Sequence, residues 1–141
     1  MSPIDAQLIA RKGKLIEEDL QKLSFYASLT EKEYRSKEEA QLAAERLLER
    51  IVGRLIDINY HILKETYQTM PLDYYDSFLA LAKQRLVSKQ EAREVAKATG
   101  LRNILAHEYD EVYPGKVYQA IRFALEQIPH YLTSIMKKLG I

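Results

Sequence analysis

The sequence predicts an all-α protein, an up-and-down bundle of four to five helices. Apolar residues recur every three or four positions along most of the chain, the period of a one-sided helix. The five glycines and four prolines fall mostly where those runs begin or end. No segment sustains the apolar–polar alternation and β-branched enrichment of a strand. Gly and Pro interrupt the pattern too often for a long coiled coil.

The elements follow in order. Ser2-Pro3 reads as an N-cap with proline at the first helical position, and Ile4, Leu8, Leu15, Ile16, Leu20 and Leu23 carry a first helix to about Ser28. Ser36 and Glu39 have the spacing of a capping box, opening a long helix to about Thr66 with Ala40, Ala44, Leu47, Ile51, Leu55, Ile58 and Ile62 as its core stripe. Gly53 inside that helix costs about 1 kcal/mol relative to Ala, which suggests close approach of another backbone. Residues 67–72 read as a loop around Pro71. Asp73 caps a third helix carrying Tyr75, Phe78, Leu79 and Ala82. Ser88 and Glu91 form a second capping box, with Gly100 as the stop of that helix. A short helix then runs from Arg102 to about His107, and Tyr113-Pro114-Gly115 is a turn. The last helix spans about Lys116 to Lys138 on Val117, Ile121, Leu125, Ile128, Leu132 and Ile135, with a kink expected at Pro129.

A chain of 141 residues suits one domain, residues 1–141, able to build a core without covalent staples. Cysteine is absent, so disulfides and thiolate metal sites are excluded. The three histidines, His61, His107 and His130, lie far apart without metal-ligand spacing, and no metal or cofactor is expected. The start lacks the basic and apolar runs of a signal peptide, and no apolar stretch approaches the ~20 residues of a membrane span. A cytoplasmic location with no membrane partner is expected. The net charge of +1, from 21 basic and 20 acidic residues, means that nucleic-acid binding would need a local patch.

The chemistry-bearing residues gather in one stretch, Gly100-Leu101-Arg102-Asn103-Ile104-Leu105-Ala106-His107-Glu108-Tyr109. Asn103 and His107 are four apart, so they share a helix face and the amide can orient the imidazole. Arg102 and His107 are five apart, about 140° around an ideal helix. Convergence on one substrate atom therefore needs a helix break near His107 or a second copy of the motif across a dimer interface. A lone histidine here would read as a satisfied residue at a helix C-terminus; the company of Arg102, Asn103 and Tyr109 favours a functional role.

The Arg-Asn-x3-His-x-Tyr string of residues 102–109 resembles the HEPN superfamily of helical ribonucleases, and more closely its HepT toxin branch. The helix order and the Gly100-Leu101 lead-in extend the likeness over nearly the whole chain, so the bundle is expected to be HEPN-like. The resemblance implies a metal-independent endoribonuclease toxin acting through attack of the ribose 2′-hydroxyl. His107 would be its general base or acid, for which an imidazole pKa near 6.5 is suited. Arg102 would stabilise charge on the phosphoryl oxygens, with Asn103 in support. It also implies a homodimer or higher oligomer, and an MNT-type nucleotidyltransferase antitoxin that transfers adenylate to Tyr109.

Lys89, Arg93 and Lys97 step by four and form a basic stripe leading toward the motif, a candidate track for RNA phosphates or simply a solvated face. Glu108, Asp110 and Glu111 either raise the pKa of His107 or are a polar loop. Asp57 and His61 have the spacing of a hydrogen-bonded pair. Tyr60, Tyr67, Tyr74, Tyr75, Tyr113, Tyr118 and Tyr131 read mostly as core or interface fillers, with base stacking as the alternative for Tyr74 or Tyr75. Two other functions fit the same fold: a non-catalytic module that binds a nucleotidyltransferase or a nucleotide, and a plain structural bundle. An RNA cleavage assay separates the first from the enzyme.

Overall fold

The computed structural model describes residues 5–106 and 113–141, the side chains of 103, 104 and 106 apart. Seven helices run through them: α1 (Ala6–Ala27), α2 (Glu31–Ser36), α3 (Glu38–Tyr67), α4 (Tyr74–Lys83), α5 (Lys89–Ala96), α6 (Ala98–Ala106) and α7 (Pro114–Leu139). No strand occurs among the described residues, and no helix there is long and apolar enough to cross a membrane. The all-α bundle is as expected, with more pieces than four or five.

The extra pieces have local causes. Thr30 accepts from the Glu33 amide while Glu33 accepts from the Thr30 amide, a reciprocal box that opens the short α2. The box expected at Ser36 and Glu39 does not form. Ser36 ends α2 with its hydroxyl donating to the Glu33 carbonyl at 2.8 Å, and α3 begins after Lys37 without a side-chain cap. Asp73 and Ser88 cap α4 and α5 as expected, at 2.7 and 3.0 Å from the amides of Asp76 and Glu91. Glu91 does not complete its box; its carboxylate accepts from Ser134 on α7 instead. Gly100 is no stop. The break lies at Lys97, and Gly100 sits within α6. Pro114 is the first residue of α7 rather than the middle of a turn, and the helix continues through Pro129. Asp5 caps α1 by accepting from the Leu8 amide; the cap expected at Ser2 lies outside the described residues.

The long α3 is the spine. All seven residues of its expected stripe are buried, from Ala40 to Ile62. α1 and α7 pack on it and on each other, and α4 and α6 cover its other sides. Three contacts fix α1 antiparallel to α3. The Asp5 amide donates to His61 Nε2, Lys12 pairs with Asp57 at 3.1 Å, and buried Asp19 accepts from Arg54 at 2.7 Å and pairs with Arg50 at 3.2 Å. These contacts also dispose of the Asp57–His61 pair, because each residue has a partner on the α1 side.

A polar chain crosses the core. The Tyr131 hydroxyl on α7 donates to Asn59 Oδ1 at 2.7 Å, and Asn59 Nδ2 donates to Ser77 Oγ at 3.1 Å. Ser77 donates onward to the Tyr74 carbonyl at 2.7 Å. Tyr131, Asn59 and Ser77 are all fully buried. In apolar surroundings each bond matters because losing it strands a group that water cannot reach. The chain ties α7 and α3 to the first turn of α4, the turn that carries Tyr74.

Candidate active site

Leu101 and Leu105 of α6 pack inward, Leu105 within the core and Leu101 partly buried against it. Arg102, about 100° further round the helix, projects to the side where α3 and α4 meet. There it lines a solvent-open cleft of about 340 Å³ with Gly53, Ile56, Asp57, Tyr60 and Tyr74. Size alone does not single this cleft out, since openings of about 510 and 670 Å³ lie near Phe25 and beside Lys137, away from Arg102. The chemistry of its lining does.

The Arg102 guanidinium lies over the Tyr74 ring, 5.5 Å from guanidinium carbon to ring centroid. A cation on an aromatic face is held by the ring quadrupole, worth about 0.5–2 kcal/mol depending on hydration. Its Nε is buried without a hydrogen-bond partner among the described residues. Asp57, the acid of the cleft, is taken by Lys12 across the α1–α3 interface. An arginine seated on a ring instead of a carboxylate keeps its donor fork for an incoming oxyanion.

Tyr74 is 42% exposed and makes an edge contact with Tyr60 at 5.9 Å between centroids. The Tyr60 hydroxyl is held above its ordinary pKa by desolvation first, then by Tyr74, Asp73 and Asp76. It therefore stays protonated at neutral pH and offers a donor at the cleft wall. No atom of another element among the described residues lies within 4 Å of where a Gly53 β-carbon would project. The close backbone approach expected of Gly53 is thus not made among the described residues; the glycine lies on the cleft floor.

Of the sequence-predicted site residues, Arg102 is placed in this cleft. His107, Tyr109 and the Asn103 side chain lie outside what is described, as do Glu108, Asp110 and Glu111. Lys89, Arg93 and Lys97 are exposed along α5 and its end. Lys97 pairs with Glu94 at 3.2 Å and lines a separate, mostly apolar groove between α6 and α7, so the stripe and Arg102 do not share a cleft. Among the described residues no group of three or more histidines and carboxylates is placed to hold a metal. Tyr118 and Tyr131 are buried fillers as expected, whereas Tyr74 and Tyr60 belong to the site. No spacing in the sequence sets Tyr74 apart from the other tyrosines; only the packing of α4 and α6 on α3 brings it to Arg102.

The bundle with Arg102 on the short helix before its last long one fits the HEPN-like fold that the motif resemblance implies, and comparison with known proteins shows the family. The Ribonuclease HepT-like family model matches residues 16–135. The chain is 36% identical over 135 residues to the tRNA nuclease HepT of Aphanizomenon flos-aquae, covering 96% of this chain and 92% of that protein. The crystal structure of a toxin–antitoxin with AMP-PNP superposes with a TM-score of 0.85 at 23% identity, over 93% of this chain and 98% of that one. The tri-AMPylated HEPN toxin of Shewanella oneidensis, solved in complex with MNT antitoxin, gives 0.83 at 24% identity, over 92% and 97%. The chain belongs to the HepT-like ribonuclease family.

Proposed function

We propose that the chain is the toxin of a toxin–antitoxin pair, a metal-independent endoribonuclease contained in one domain and assembled at least as a homodimer. The observation that carries this reading is the Arg102 guanidinium, seated on Tyr74 in an open cleft without a carboxylate partner among the described residues, inside the family's motif. His107 takes the proton of a ribose 2′-hydroxyl, and the 2′-oxygen attacks phosphorus. The bond to the 5′-oxygen breaks, that oxygen takes a proton from solvent water, and the His107 imidazolium returns its own to solvent, so the transesterification is proton-neutral. Arg102 holds the phosphoryl oxygens as charge builds on them, with Asn103 orienting the imidazole. Lys89, Arg93 and Lys97 hold flanking phosphates. The products end in a 2′,3′-cyclic phosphate and a 5′-hydroxyl, and cleavage of total RNA proceeds in EDTA. Cleavage that stops on chelation and returns with magnesium overturns this mechanism.

The partner follows from the same neighbours: a nucleotidyltransferase of the MNT type that adenylylates Tyr109, supported by the tri-AMPylated toxin among the solved structures. Each adenylate brings a phosphodiester charge and a bulky base to the motif, opposing substrate by repulsion and by volume. Co-expression with an MNT-type nucleotidyltransferase is expected to add adenylate-sized mass increments to the wild type and none to Tyr109→Phe, read by intact-mass spectrometry. Unmodified yet fully inhibited protein would assign control to binding alone.

A further inference from the structure

The cleft beside Arg102 contains more than a phosphate partner requires. It is walled by two tyrosine rings in edge contact, Tyr60 and Tyr74, and floored by Gly53 and Ile56 of α3. Glycine in a helix interior is unfavourable, and within the chain nothing recovers that cost, because a β-carbon at Gly53 would meet no other element among the described residues. The side chain is missing where the cleft is, so the space serves something other than the chain's own packing. At about 340 Å³ it lies at the small end of ligand pockets. Arg102 and the two rings follow one another at 5.5 and 5.9 Å, a spacing short enough for one nucleotide to reach a cation with its phosphate and a ring with its base.

We infer that the Gly53–Tyr60–Tyr74 cleft is a nucleobase berth that takes one unpaired base of the RNA whose phosphate is held by Arg102. This rests on the ribonuclease reading above and adds to it a substrate class, RNA that is single-stranded at the cleavage site. A paired base cannot enter a cleft between two helices, whereas an unpaired one stacks on aromatic side chains. The Tyr60 hydroxyl, kept protonated, supplies a donor to a base edge.

The test uses binding without cleavage. Fluorescence anisotropy is followed with 2′-O-methylated oligo(A) and oligo(U), and with versions carrying one abasic residue at each position in turn. Gly53→Leu places a side chain in the cleft from a β-carbon that meets no other element among the described residues, so its melting temperature should equal or exceed that of the wild type. Its affinity for the intact oligomers should fall about tenfold or more, the scale of one lost base stack. In the wild type a single abasic position should cause a comparable loss, and in Gly53→Leu that position should cause no further loss, the non-additivity of two changes at one site. Equal affinity of Gly53→Leu and wild type, additive losses, or no binding of either oligomer overturns the berth. So does a Gly53→Leu protein that loses its self-association in light scattering, because the space would then belong to a second copy of the chain. Cleavage of unmethylated RNA by the wild type is scored separately, so the berth can fail while the ribonuclease stands, and the reverse.

Discussion

Arg102→Ala and His107→Ala should each leave a folded protein that no longer cleaves RNA. Losing a general acid–base group costs about 10²–10⁴-fold in rate. Losing a donor aimed at developing negative charge costs about 10²–10³-fold. The stability of Arg102→Ala should change little, because the residue makes a ring contact and leaves one nitrogen unpaired. Circular dichroism and thermal melting establish the fold; a gel of cleaved RNA, run beside them, reads the activity. Mixing the two variants sharpens the test. If each site draws arginine from one protomer and histidine from the other, as the 140° offset on one regular helix suggests, the mixed dimer regains one working site. An active His107→Ala protein would remove histidine from the mechanism. A verified mixed dimer without activity would confine each site to one chain.

The second large effect concerns stability. Asn59→Leu is expected to destabilise the protein by about 2–4 kcal/mol, because the Tyr131 hydroxyl and the Ser77 oxygen both lose a fully buried partner. Against the ~5–15 kcal/mol that holds a typical domain folded, that is a large share. The melting temperature should drop by roughly 5–15 °C. Tyr131→Phe strands only the Asn59 oxygen and should cost about half as much. A melting temperature for Asn59→Leu within a degree of wild type would mean that the chain of bonds contributes nothing. Because the network ends on the Tyr74 carbonyl, loosening it also loosens the ring beneath Arg102.

Helical periodicity made the long elements legible. The α3 stripe stands out because its apolar residues step by three and four for about six turns, and every one is buried. Caps were legible where a single side chain decides, as at Asp73 and Ser88. They failed where two helices compete for the same residues. Thr30 with Glu33 and Ser36 with Glu39 have equal claims by spacing, but Ser36 lies within reach of the turn that the Thr30 box has already started. Gly100 looked like a helix end because glycine favours that place, yet the chain spends its break one turn earlier, at Lys97, and Thr99 anchors the junction by donating to the Ala96 carbonyl. The site was legible only in its local part. Arg102 stood in a motif, whereas Gly53, Tyr60 and Tyr74 reach it from two other helices, and no spacing along the chain encodes that meeting.

The buried Nε of Arg102, without a hydrogen-bond partner among the described residues, and the bare floor at Gly53 share one property: neither is a feature that folding itself calls for. Substitutions that disarm these positions therefore meet no resistance from folding. On the function proposed above, a single such change would leave a well-formed but inactive bundle, and inactive forms of the gene would persist as sound proteins instead of decaying into misfolded ones.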